Sequence, residues 1–327
     1  MRSVAAILAA ALMVSPAAAE PITVNAVQLT HFAGANVGEQ TQGLVFRGGL
    51  ELHSVTDTFG GLSGIGFVGT ENRLVMVSDR GNFIAGQLIY DDKGAPLSLI
   101  GADISAIQNS KGADLPRAFA RDAEALTIIE RPNGPTTARV GFENLTRVAD
   151  FRVVDGVPTG KATEVTIPDW LTKTRTNESL EAVCYAPPAS PIAGSTLLLT
   201  EGVIDNDGAH SGWLLGKNDK GPMSYRSGDT TAPTDCAFLP NGDLLVLERG
   251  VVLVNFAARL VRIKAADVHP GSEMQGEILF EMVGGDLDNM EGLAVHQWAG
   301  ETRIAVVSDN NFNDWERSLL LEFTLPQ

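Results

Sequence analysis

Asn177-Glu178-Ser179-Leu180-Glu181-Ala182-Val183-Cys184 and, after a turn, Thr196-Leu197-Leu198-Leu199-Thr200-Glu201-Gly202 form a unit that the chain repeats. An acidic or polar residue opens a short apolar strand, a turn follows, and a second apolar strand ends on another polar or acidic group. The apolar runs are too short for helices and carry no 3.6-residue period. Four further copies stand on either side of this one. Gly61-Leu62-Ser63-Gly64-Ile65 leads to Arg73 through Ser78-Asp79-Arg80-Gly81, and Asp122-Ala123-Glu124-Ala125-Leu126 leads to Ala138 through Glu143-Asn144. Pro233-Thr234-Asp235-Cys236 leads through Asn241-Gly242 to Leu245-Val246-Leu247-Glu248-Arg249, and Asn289-Met290-Glu291-Gly292-Leu293 leads to Arg303 through Ser308-Asp309-Asn310.

Between Ser63, Glu124, Glu181, Asp235 and Glu291 the steps are 61, 57, 54 and 56 residues. A unit of that length holds four short strands and their hairpins, which is a propeller blade; helical and leucine-rich repeats are shorter. Turn dipeptides such as Asp155-Gly156 separate the remaining strands. The fold expected is therefore an all-β propeller. Dividing the chain by the step gives between five and six blades. The reading taken is six, with five as the alternative. The sixth blade would be assembled from N-terminal strands, including Leu44-Val45-Phe46, and the C-terminal run Ser318 to Phe323, so that both termini close the ring.

Residues 1–19 read as a secretory signal: Arg2, an apolar run from Val4 to Val14, then Ser15-Pro16-Ala17-Ala18-Ala19 as a small-residue cleavage site. Residues 20–327 are then one propeller domain, periplasmic or secreted, with no membrane insertion. Loss of Arg2 takes the formal charge from −16 to −17. Such an acidic chain is a poor partner for nucleic acid and suits cations. It is expected to be a monomer.

A residue type repeated at one register of a propeller is concentrated around one axis. Here that type is carboxylate. Glu124, Glu181, Asp235 and Glu291 open the inner strands; Asp79, Glu143, Glu201, Glu248 and Asp309 end the antiparallel strands beside them. Start and end fall on the same side of a blade, so both sets should rim one mouth of the channel. Singly, each acid reads as a strand-end turn residue. Together they need a counter-charge, and calcium, with six to eight oxygen ligands, supplies one. Arg80 and Arg249 stand next to these acids and could hold an anion bidentately; the plain alternative is a structural ion pair. His210, in the polar loop Asp205-Asn206-Asp207-Gly208-Ala209-His210, is the candidate general base. That loop starts like a calcium-binding loop but lacks the later Glu of an EF-hand.

Cys184 and Cys236 are the only cysteines. Counted from the acids Glu181 and Asp235 they lie three and one positions on. Equal parity puts both on the same face of their blades, so they are not expected to bond unless a bulge intervenes. Nucleophile-elbow, P-loop, dinucleotide and H-E-x-x-H patterns are all missing from the sequence.

Several segments resemble the phytase-like, "esterase-like activity of phytase" family of exported bacterial proteins. They are Gly61 to Gly64 with Ser78 to Gly81, Asp122 to Leu126, Asn177 to Ala182, Leu245 to Arg249, and Asn289 to Ala294 with Ser308-Asp309-Asn310-Asn311-Phe312. Where that family reads E-G-L, this chain has Glu124-Ala125-Leu126 and Glu181-Ala182-Val183. The resemblance implies a propeller that hydrolyses phosphoesters or related esters. The reaction would be metal-assisted, on a small-molecule ester or phosphate substrate. A lactonase and a non-catalytic propeller with structural calcium are the alternatives.

Overall fold

Alternation of apolar and small residues along each repeat gives strands whose two faces are both covered, and this is how the chain folds. A computed structural model describes residues 19–326. Five antiparallel sheets stand around one axis, so the molecule is a five-bladed propeller. Blade 1 runs outward through Leu62–Val68, Arg73–Ser78, Asn82–Tyr90 and Pro96–Ala106; blade 2 through Ala123–Ile129, Thr137–Phe142, Arg147–Val154 and Val157–Val165. Blade 3 comprises Leu180–Tyr185, Thr196–Ile204, His210–Leu215 and Gly221–Tyr225, and blade 4 Ala232–Phe238, Leu244–Val252, Asn255–Ile263 and Glu277–Val283. The innermost strands touch in the order of the blades, and blade 5 returns to blade 1. At that return Gly292 passes so near Gly64 that a Cβ on it would sit 3.0 Å from the Gly64 Cα, which is why a side chain is missing there.

Of the two counts the sequence allows, six and five, the chain has five, and the strands assigned to a sixth blade show why. Leu44–His53 and Leu319–Thr324 do pair with each other, but they do so inside blade 5, outside Asn289–Trp298 and Glu301–Asp309. Asn25–Leu29 adds the outer edge. One blade thus joins both ends of the chain by main-chain hydrogen bonds and leaves no open seam. The ring of Phe32 packs between Phe46, Phe280 and Phe323, tying the N-terminal segment to blades 4 and 5. Edges elsewhere are capped by short strands: Glu20–Pro21 on blade 1 and, in parallel, Glu273–Met274 on blade 3.

The apolar core is divided into seams between blades rather than gathered at the centre. Val75, Val77, Phe142 and Phe151 fill one such seam; Leu197, Leu199, Val246 and Ile263 fill another. The leader read over residues 1–19 falls, except for Ala19, outside the described residues. Among the described residues no helix is long and apolar enough to cross a membrane.

Cys184 and Cys236 form a disulfide, with Cα atoms 5.8 Å apart, across the inner strands of blades 3 and 4. This overturns the expectation of two thiols. The parity argument failed because each inner strand carries a bulge, and in blade 4 the bulged residue is Thr234, one place before Asp235. Counted from the bulges Glu181 and Thr234, the cysteines lie three and two positions on. Opposite parity turns them toward each other. The bond closes a loop spanning 52 residues, worth about 4 kcal/mol on the chain-entropy scale. Cys184→Ser with Cys236→Ser is expected to lower unfolding free energy in guanidinium by up to that amount, with the fold retained; unchanged stability would show that the bond constrains nothing.

Candidate cation site at the mouth of the channel

The site is made by one local irregularity used five times. In blade 1 Leu62 pairs with Ser78 and Gly64 with Val77, leaving Ser63 without a partner. Glu124, Glu181, Thr234 and Glu291 are left over in the same way in blades 2 to 5. An extra residue breaks the alternation of the pleat and re-aims its side chain. Because the blade faces are sealed against their neighbours, the direction left to these residues is the channel. The second strand of each blade ends beside its bulge with Asp79, Glu143, Glu201, Arg249 and Asp309.

The structure therefore brings together Asp79, Glu124, Glu143, Glu181, Glu201, Glu291 and Asp309 at one mouth, as the repeat predicts. Two carboxylate triads form there, with ligand oxygens within 4.8 Å of one another: Asp122, Glu124 and Glu143, and Glu143, Glu181 and Glu201. Glu143 belongs to both. Asp122 was not among the predicted ligands, although it stands two places before Glu124, where Asn289 stands before Glu291. The fit to a cation rests on how few protein donors reach so many carboxylate oxygens: the Ser179 N–H donates to Glu143 at 3.1 Å, the Asn144 side chain to Asp122, and Arg249 to Glu201. The buried Oδ1 of Asp79 has no hydrogen-bond partner, and Glu181, 4 % exposed, meets chiefly other carboxylates. A set of hard oxygens with too few protons to share matches a hard divalent ion.

Two predicted ligands are elsewhere. Asp235 lies one place past its bulge and points away from the channel. Its Oδ1 accepts from the Cys236 N–H at 2.8 Å and its Oδ2 from the Leu293 N–H at 2.7 Å, which stitches blade 4 to blade 5. Glu248 is fully buried between strands, where it accepts from Tyr225, Thr231, the Gly228 N–H at 3.2 Å and Arg259 Nη1 at 3.0 Å. Asp235 and Glu248 match the repeat in residue type alone; the blade 4 register is shifted by one, so each falls on the wrong face. The ring positions of blade 4 belong to Thr234 and Arg249.

Arg249 consequently sits among the acids. Its guanidinium is 3.4 Å from Glu291, 3.5 Å from Glu201 and 3.2 Å from the Asn289 side-chain oxygen, and these acids hold its charge more firmly than water would. Arg80 lies at the rim, exposed, over the face of Phe312 at 3.2 Å. His210 is on the third strand of blade 3 and largely buried. Its Nδ1–H donates to the Glu201 carbonyl and its Nε2 stands 2.8 Å from Ser227 Oγ, so both nitrogens are engaged. Burial pushes its pKa down, and the imidazole is a neutral structural link.

A family model described as Phytase-like, esterase-like activity of phytase, matches residues 57–312. No curated protein matches the chain. Among solved structures, the PQQ-bound aldose sugar dehydrogenase from Streptomyces coelicolor covers 85 % of this chain with 98 % of its own, at 10 % identity and a TM-score of 0.45. Apo ctPRC2 in an autoinhibited state covers 81 % of this chain with 70 % of its own, at 12 % identity and a TM-score of 0.41. Likenesses this distant carry no argument about function.

Burial is the main force that pushes the mouth carboxyls up, and their neighbours add to it. Glu143 and Asp79 rise to about 7, Glu291 to about 8 despite Arg249, and Asp309 to about 6. Glu124 and Glu181 rise well above the ordinary carboxylate range, through burial and then the charges around them. The folded chain thus binds these protons more tightly than the unfolded chain. Stability is full at acid pH and is lost as pH climbs from the ordinary carboxylate range through about 8. Calorimetry in a chelator should show the melting temperature falling between pH 5 and 8, and millimolar calcium should abolish most of that fall. An identical slope with and without calcium would mean that no cation replaces the protons.

Proposed function

We propose, from the premise that the chain belongs to the Phytase-like family, esterase-like activity of phytase, that it is an exported, calcium-dependent hydrolase of phosphoesters or related esters working at the carboxylate mouth. The observation that carries this reading is the meeting of two carboxylate triads on Glu143, five acids whose protein donors are the Ser179 N–H, the Asn144 side chain and Arg249. The disulfide supports export, since such bonds persist in oxidising compartments, and so does the apolar leader of the sequence.

Asp122, Glu124, Glu143, Glu181 and Glu201 would hold the ion, on the side of blades 2 and 3. Calcium bound there supplies Lewis-acid polarisation of a phosphoryl or carbonyl oxygen and stabilises the charge that develops on it. Arg249 orients Glu201 and Glu291 and offsets part of their charge, which leaves less uncompensated negative charge on the blade 4 side. Arg80 takes an anionic substituent of the substrate. Asp79 and Asp309 flank it and are placed to accept a proton from the attacking water. The substrate is a small molecule, and the acidic monomer has no affinity for nucleic acid.

A panel of phosphomonoesters, aryl esters and lactones, assayed with calcium and with a chelator, tests this reading. Turnover of one class is expected only with the metal, and Glu143→Gln should reduce it about a hundredfold or more, the scale of losing one preorganised charge in a catalytic site. If no class is turned over in either condition, the chain is a binding propeller whose calcium is structural.

A further inference from the structure

The rim between blades 1 and 5 is built around a phenylalanine in an unusual place. Asn311 and Phe312 follow one another with φ of +45° and +52°, in the left-handed region that bulky side chains avoid. Such backbone persists only where its surroundings hold it. Here the Asn310 side-chain oxygen accepts from the N–H groups of both Gly61 and Phe312, at 3.1 and 3.2 Å. Gly61 (φ +61°) passes directly under the ring, where a Cβ would run into Phe312 and Asp79. Two loops from the first and last blades thus fix one aromatic ring at the mouth.

That ring carries Arg80. The guanidinium lies 3.2 Å above its centroid, a face-on cation–π contact. Arg80 forms no ion pair with any described residue, unlike Arg249, Arg259, Arg139 and Arg303, which are all paired with carboxylates. Its charge nevertheless reaches the site, for it lowers the pKa of both Asp79 and Asp309. Stacking holds the plane of the guanidinium and leaves its N–H edge free, the geometry in which arginine grips an oxyanion with two parallel hydrogen bonds.

We propose that Phe312 is a positioning residue that holds Arg80 as a fixed anion-binding arm, and that the group it receives is the phosphate of a phosphomonoester. This rests on the reading of the mouth as a cation-dependent ester site. A phosphomonoester has three free oxygens and can engage Arg80 and the acid-bound cation together. A neutral ester offers Arg80 nothing. The same residue therefore sets substrate class as well as orientation.

Titration calorimetry of inorganic phosphate into the purified protein in calcium tests the proposal. The native chain should bind phosphate, and Arg80→Ala should weaken binding at least tenfold. Phe312→Ala and Phe312→Leu should weaken it to a similar degree, while Phe312→Tyr stays within twofold of the native value. The pair Arg80→Ala with Phe312→Ala should bind no more weakly than Arg80→Ala alone, because the ring acts through the arginine. Calcium affinity and melting temperature should be unchanged in Phe312→Leu, which keeps the apolar packing and removes the π face. Native-like phosphate affinity in Phe312→Leu, or full additivity in the pair, would overturn the role of Phe312 while leaving the cation site standing. Calcium binding without phosphate binding in the native chain would overturn the phosphate assignment alone; failure to bind either would remove the cation site with it.

Discussion

Each inner strand has one residue more than its neighbour can pair, and the surplus residue is turned into the channel. Everything at the mouth depends on that constraint. A regular pleat would send Glu124, Glu181 and Glu291 into the apolar seams between blades, where an unpaired carboxylate costs several kcal/mol. The bulge instead delivers them to the one polar space the ring encloses. The same irregularity sets the parity of Cys184 and Cys236 and so decides that they bond.

Blade 4 departs from the pattern in a way that gives the mouth a polarity. Thr234 and Arg249 replace a pair of acids, so positive charge stands on one side of the channel and the two carboxylate triads on the other. An arginine buried among carboxylates is stabilised by their charge, and it offsets part of the burial that raises Glu201 and Glu291. On the side of blades 2 and 3 Glu201 reaches Arg249, whereas Asp122, Glu124, Glu143 and Glu181 form no ion pair with any described residue and are left to hold protons or a metal. The donor-poor surroundings of Asp79 Oδ1 and of Glu181 express the same deficit. With the proposed ion in place, the mouth would carry a fixed cation on one flank and an exchangeable one on the other, with Arg80 at the rim, an arrangement suited to an anion that bridges them.

Much of this was legible in the residues. The repeated step and the alternation of short apolar runs with turns are properties of composition and order, so the propeller could be read without coordinates, as could the convergence of carboxylates from blades 1, 2, 3 and 5. In blade 4 the acids match the repeat by chemical type and not by register. Asp235 and Glu248 are each displaced by one from the ring position, and in a strand a shift of one residue is a change of face. Bulges leave almost no mark in composition, which is why the disulfide was missed. Dividing the chain by the step leaves five and six blades open, and the terminal strands, which complete the last repeat, decide for five. Phe312 carried no legible role, since its importance comes from a left-handed backbone that only its contacts with Gly61 and Asn310 maintain.

The central claim is that five bulges gather distant carboxylates into a pocket that binds a divalent ion. Anomalous diffraction from crystals grown in calcium, and again in manganese, tests it most directly. A peak is expected within about 2.3–2.6 Å of oxygens of Glu143 and of either Glu124 or Glu181, off the propeller axis and away from Arg249. A mouth without any peak at saturating metal, or a peak confined to the outer surface of the blades, would contradict it.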